Sequence, residues 1–311
     1  MLLFCGTMNK IAFRLGGCKE EGFRLVNWFP GHMAKTKRLI LENIKLVDVV
    51  LELVDARLPI SSRNPLLQEI LGGKPSVLIL NKADLAEEEE TRQWLNYYSQ
   101  QGFPILVFNA LKNQGRNEKK KILDLVRNQA KNVLARRLAR GIRNQVIRLM
   151  VLGIPNVGKS TMINNLTGRG VTETADRPGV TRGKQWVRLE GDVELLDMPG
   201  ILWPKFADPV IGFKLAATGA IREMVYDSLE LSLWLVDWLL QHKPGRIAQR
   251  YQVEEKQEPV AVLTEICRKR GFLVSGGEVD LEKGAGIFLA EYRGGKLGRV
   301  TMDLLTGEAK C

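Results

Sequence analysis

The sequence predicts an α/β protein in which a doubly wound, mostly parallel sheet is followed by a smaller α-helical domain. Three observations carry that expectation. Short β-branched apolar runs alternate with helical stretches, the pattern of a parallel sheet covered on both faces. One of those runs leads straight into a glycine-rich turn and then a helix. After about residue 206 the strand signal stops and the remaining chain reads as helix. With 311 residues, 45% hydrophobic and 26% charged, the chain is long enough for about two domains and too apolar for wholesale disorder.

Residues 1–25 have no clear periodicity and stand as an N-terminal extension, either a disordered arm or a mis-called start. The sheet-bearing domain is expected over 26–206 and the α-rich domain over 207–311. Val47–Val54 is a buried strand that ends at Asp55-Ala56-Arg57. Val77–Leu80 follows Gly72-Gly73 and Pro75, and Ile105–Phe108 follows Gly102 and Pro104. Helical stretches at about 36–46, 62–71, 88–100 and 118–140 separate these strands. Val146–Leu152 is the fourth strand. Lys184–Leu189 and Val193–Leu196, split by Glu190-Gly191-Asp192, form a hairpin. Ser228–Gln241, Ala261–Arg270 and Val279–Arg293 are helical.

Charge is unevenly distributed. The chain carries 46 Lys plus Arg against 35 Asp plus Glu, a net charge of +11. Residues 112–148 hold twelve Lys/Arg and only two Asp/Glu, nearly the whole excess. There Ile122, Leu125, Val126, Val133, Leu134 and Leu138 recur at helical spacing among Lys119, Lys120, Lys121, Arg127, Lys131, Arg136 and Arg137. This is a helix with an apolar seam and a basic exterior. Two readings stay open for it, a solvated linker helix and a phosphate-binding face that displaces counterions from RNA. The four cysteines form no CxxC pair and the two histidines cannot build a multi-histidine centre, so neither a disulfide framework nor a zinc site is indicated. No apolar run reaches membrane-spanning length. A cytoplasmic protein is expected.

Gly153-Ile154-Pro155-Asn156-Val157-Gly158-Lys159-Ser160 fits G-x-x-x-x-G-K-[ST] between a strand and a helix. Glycines let the backbone wrap a β-phosphate, and the helix N-terminus adds its positive dipole end. The phosphate-binding set is Asn156, Val157, Gly158, Lys159, Ser160 and Thr161. Lys159 neutralises the β/γ oxygens and the Ser160 hydroxyl is a Mg²⁺ ligand. Asn81-Lys82-Ala83-Asp84 closes the second strand. The Asp84 carboxylate suits the two guanine donors, which adenine lacks on that edge, and the Lys82 stem suits the base plane. Asn109-Ala110, after the third strand, is a weaker match to a second base-contacting loop. Thr181, in Pro178-Gly179-Val180-Thr181, is a candidate to complete the Mg²⁺ shell. Within Asp197-Met198-Pro199-Gly200, Asp197 is a candidate to hold Mg²⁺ through water and Gly200 to bond a γ-phosphate. Singly each would be an ordinary turn; in register with the phosphate loop they are not.

These motifs resemble the TRAFAC-class GTPases in rearranged order, with the base-reading elements before the phosphate loop, as in the circularly permuted members. The chain is similar to the ribosome biogenesis GTPase A (YlqF-type) family over nearly all of 27–304. The specific segments are Trp28–Lys35, Val54–Arg57, Pro199–Lys205, Leu215–Ile221 and Gly294–Arg299. Asn109 stands where serine is more usual, and residues 1–25 have no counterpart. The resemblance implies a circularly permuted P-loop GTPase fold. It also implies slow GTP hydrolysis and binding to the nearly mature large ribosomal subunit (its rRNA and proteins), with release after hydrolysis that the particle stimulates. No membrane partner and a monomeric state are expected. Ile201, after the DxxG glycine, cannot orient water, and the resemblance nominates His32 instead. It also nominates Asn156 as a K⁺ ligand, beside Mg²⁺. Lys159, Thr181 and Gly200 complete the expected catalytic set. Alternatives are a tRNA-directed or other non-ribosomal RNA-binding GTPase, and an RNA-binding module that nucleotide merely stabilises.

Overall fold

The computed structural model describes residues 31–109, 116–143, 145–168, 185–198, 200–203, 206 and 208–305. The first half runs α1 (Gly31–Asn43), β1 (Val49–Asp55), α2 (Pro65–Leu71), β2 (Ser76–Asn81), α3 (Glu88–Gln100), β3 (Ile105–Val107) and α4 (Arg116–Ala139). There follow β4 (Ile147–Gly153), α5 (Lys159–Thr167), β5 (Gln185–Glu190) and β6 (Val193–Asp197). Helices α6 (Pro209–Ala217), α7 (Ser228–His242), α8 (Arg246–Tyr251), α9 (Pro259–Lys269) and α10 (Leu281–Arg293) complete it. The six strands lie in the order β3-β2-β1-β4-β6-β5, all parallel except β5, which pairs antiparallel with β6.

Residue parity along the strands explains the layers. Val49, Leu51, Leu53, Val77, Ile79, Leu149 and Val151 point to one face, where Ile122, Leu123 and Val126 of α4 and Met162, Ile163 and Leu166 of α5 cover them. Val50, Met150, Leu152 and Leu196 point to the other, under Ile40 of α1 and Leu67 and Leu71 of α2. On that second face Trp94 and Tyr98 of α3 cover Val54, Leu78 and Leu80. Buried on both sides, β1 is apolar at nearly every position, as parallel central strands are.

The first core continues without a break into α6–α10 through Leu202, Trp203 and Phe213. Phe213 stacks on Trp234 of α7 with ring centroids 4.9 Å apart. Two helices escape the periodicity of the sequence, for physical reasons. α6 is apolar at every position but Lys214 and so has no amphipathic stripe, and α8 spans only six residues. Asn64 and Asp208 cap α2 and α6, each accepting a backbone N–H from two residues on.

Several cations of the C-terminal region are committed internally. Arg293 donates to the Ala216 and Ala217 carbonyls at 3.0 and 3.1 Å and so closes the end of α6. Lys214 pairs with buried Asp303 at 2.8 Å. Among the described residues no helix is long and apolar enough to cross a membrane.

Candidate nucleotide site

Parallel pairing carries four strand ends to one edge of the sheet. Asp55 is the register partner of Asn81, Leu53 of Gly153, and Val151 of Asp197. This is the carboxyl edge, where doubly wound sheets leave a crevice for ligands.

Asn81 and Val157 stand 76 residues apart in the chain, yet the Asn81 side-chain amide donates to the Val157 carbonyl at 2.7 Å. Asn81 is fully buried, and its amide nitrogen closes on the space that a side chain on Gly158 would fill. Gly158 also has φ +98°, in the left-handed region, so glycine is required there twice over. The Asn81–Asp84 segment and the Gly153–Ser160 loop are therefore joined at this edge.

Lys159 opens α5 and curls over the loop, its Nζ 2.7 Å from the Ile154 carbonyl. Ser160 and Thr161 follow it, half-buried, in the same first turn. Gly200 lies on the other side of that lysine. A Cβ at Gly200 would come within 2.8 Å of Lys159 Nζ and of the Pro155 backbone, so only glycine lets this segment reach the loop. The Ile201 N–H donates to the Gly153 carbonyl at 3.2 Å, and the Ile201 carbonyl accepts from Asn64 at 2.9 Å. Ile201 itself is fully buried, which leaves no polar group at the position after the glycine. Asn156 has φ +56°, and its amide nitrogen donates to the Gly219 carbonyl at 2.8 Å.

At the base-reading end, Asp84 Oδ1 is buried and finds no donor among the described residues. A buried acceptor in that state is costly until a donor arrives. Asp84 and Asn109 border a cavity of about 270 Å³ together with Ala83, Phe108 and Arg299.

Ala110 and Thr181 lie outside the described residues. Asp197 ends β6 and His32 falls in the first turn of α1, and the side chains of both lie outside them as well.

A supporting pair has no assigned role in the sequence reading. Asp55 and Arg57 are both buried, and Arg57 donates to the Asp55 carboxylate through Nε at 2.9 Å and Nη2 at 2.8 Å. Lys82 Nζ approaches the same carboxylate at 3.3 Å. Burial alone would raise the Asp55 carboxyl, but Arg57 and Lys82 outweigh it and hold it well below the ordinary carboxylate range. The signal for this pair was available, since two opposite charges close an otherwise apolar strand.

A family model described as 50S ribosome-binding GTPase matches residues 148–266. Ribosome biogenesis GTPase A of Bacillus cereus is 44% identical over 280 residues, covering 90% of this chain and 94% of that protein. The chain belongs to the ribosome biogenesis GTPase A family. Mitochondrial ribosome-associated GTPase 1 of Mus musculus is 33% identical over 306 residues, covering 91% of each chain. A solved structure of GNP-bound YlqF from T. maritima superposes with TM-score 0.61 at 26% identity, covering 87% of this chain and 98% of that one. Membership makes the chain a GTPase of a family involved in ribosome biogenesis, with the circularly permuted P-loop fold. The match to the family model begins at β4, so the base-reading strand lies ahead of it, as permutation requires.

Proposed function

We propose that this GTPase acts late in assembly of the large ribosomal subunit, binding the precursor particle in its GTP state and leaving after hydrolysis that the particle stimulates. The hydrogen bond from Asn81 to Val157 carries the reading, because it fixes a guanine-reading segment against a triphosphate loop. In it, Asp84 accepts from the two guanine donors, Lys82 covers the base, and Asn109 and Ala110 flank it. Asn156, Val157, Gly158, Lys159, Ser160 and Thr161 hold the phosphates, and the Gly200 N–H faces the γ-phosphate.

The residue types suit Mg²⁺, since Ser160 opens α5 and Asp197 ends β6 at the phosphate end of the edge, and Thr181 is the third expected oxygen ligand. Bound by them, Mg²⁺ would supply neutralisation of phosphate charge. Lys159 turns from the loop carbonyls to the phosphate oxygens. Because Ile201 is apolar and buried, the attacking water must be oriented from another segment, and His32 is the candidate. Residues 26–206 form the catalytic unit and 207–311 the part that faces rRNA and ribosomal proteins, in a cytoplasmic monomer. K⁺ assists at Asn156, whose amide nitrogen is committed to Gly219. Replacing Na⁺ by K⁺ raises turnover, and Asn156→Ala removes the difference; equal rates of the unaltered chain in the two salts would contradict this.

The decisive test is the Asp84→Asn variant. Its nucleotide preference should move from guanine to xanthine, because an amide offers a donor where the carboxylate accepted. Single-turnover hydrolysis with and without large-subunit particles then separates a timed release factor from an RNA-binding module.

A further inference from the structure

Loop 82–87, which carries Asp84, leaves the sheet at the end of β2 with a local turn, Leu85 N–H donating to the Lys82 carbonyl at 2.9 Å. Its outer half, the Leu85 carbonyl and the Glu87 N–H, is satisfied from the far end of the chain. The Val300 N–H donates to the Leu85 carbonyl at 2.9 Å. The Glu87 N–H donates to the Thr301 hydroxyl at 3.0 Å, and the Thr301 N–H returns to the Glu87 carboxylate at 3.2 Å, a reciprocal pair spanning 214 residues. Thr301 is fully buried.

The attachment continues on both sides. Met302 N–H donates to the Arg57 carbonyl at 2.9 Å. Asp303 accepts from Ile60 N–H, Ser61 N–H and the Ser61 hydroxyl at 3.0, 2.7 and 2.7 Å, while Trp94 donates to its carbonyl at 2.8 Å. Lys243 and Arg246 of the helical region both pair with Glu87. Arg299 pairs with Glu88 and stands in the wall of the cavity beside Asp84.

We infer that residues 299–303 are a positioning strap for guanine recognition: Thr301 fixes the loop that aims Asp84, and Arg299 closes the outer wall of the base pocket. The inference rests on the reading of Asp84 as the guanine acceptor. Accepting two donors from one base edge demands a carboxylate placed to within tenths of an ångström. Local bonds hold the Lys82–Ala83 end of this loop, and the strap holds the Leu85–Glu87 end, so that Asp84 is fixed from both sides. Because the strap follows α10 after a short turn, a shift of the helical region is felt at the base. That supplies a route by which a docked particle changes nucleotide affinity.

The test compares equilibrium affinities for GDP and for inosine diphosphate, which lacks the exocyclic amine, on the full chain. Thr301→Val keeps the shape and removes the acceptor. It should weaken GDP binding by about fivefold, and inosine diphosphate binding less, so that the ratio of the two contracts. Thr301→Ser, which keeps the hydroxyl, should hold the original ratio. Arg299→Ala, a change at the surface that leaves the buried bonds intact, should contract the ratio in the same direction and decides the matter if the valine variant fails to fold. A ratio unchanged in both Thr301→Val and Arg299→Ala, with Asp84→Asn still moving preference to xanthine, overturns the strap while leaving the base reading standing. Failure of Asp84→Asn to move preference removes both.

Discussion

Asp55 illustrates how a single side chain can serve stability and recognition together. Its carboxylate is shared by Arg57, which is wholly buried, and Lys82, which has φ +59° and stands in the Asn81–Asp84 segment. Removing the negative charge strands a buried guanidinium, a loss that typically costs about 3–5 kcal/mol. Asp55→Asn should therefore lower unfolding free energy by about that much in denaturant titration, and a loss below about 1 kcal/mol would count against the pair as drawn. The double change Asp55→Leu with Arg57→Met removes both charges and should recover much of the stability. It should not recover guanine nucleotide affinity, because Lys82 then has no carboxylate to hold it. Tyr292 of α10 lies under the same guanidinium, with its ring centroid 5.6 Å from Arg57 Cζ, so the helical region touches this network directly.

At the scale of elements, α4 separates into two populations of cations. Arg127 binds Glu190 at 2.8 Å and Asp192 at 2.7 Å, pinning the helix to the turn of the β5–β6 hairpin. Arg137 pairs with Asp48 just ahead of β1. Lys120, Lys131, Arg136, Arg140 and Arg143 are exposed instead. Reversing Lys131 and Arg136 to glutamate should weaken binding to large-subunit particles and flatten its salt dependence, with little effect on thermal stability. Arg127→Ala should do the opposite, lowering stability first. Sedimentation across a salt series distinguishes the two. Of the elements, β1, β2, β4, α3 and α4 were legible within one or two residues, since uninterrupted apolar runs and amphipathic seams are what sequence displays best. The phosphate loop and Asn81–Asp84 were legible too, because their chemistry demands fixed residue types at fixed spacing. α6 and α8 were not, one being apolar at all but a single position and the other one turn and a half long. The strap over 299–303 was not read from the sequence, because its bonds join single side chains and backbone groups of segments more than two hundred residues apart and follow no periodicity.

The whole molecule is organised around the seam between β1 and β4. The strands on the β1 side of that seam come from residues before 140, and those on the β4 side from residues after 146. Neither half holds both motifs, since Asn81–Asp84 belongs to the first and Gly153–Ser160 to the second. Across the seam run the β1–β4 ladder, the amide of Asn81 and the Thr301–Glu87 pair. In a nascent chain, then, the first half emerges with its base-reading loop still lacking the residues that shape it. The connection between α4 and β4 can be severed without cutting any helix or strand. Two polypeptides split there and co-produced should reassemble by complementation into an active enzyme, with guanine nucleotide as the adhesive that holds the halves together.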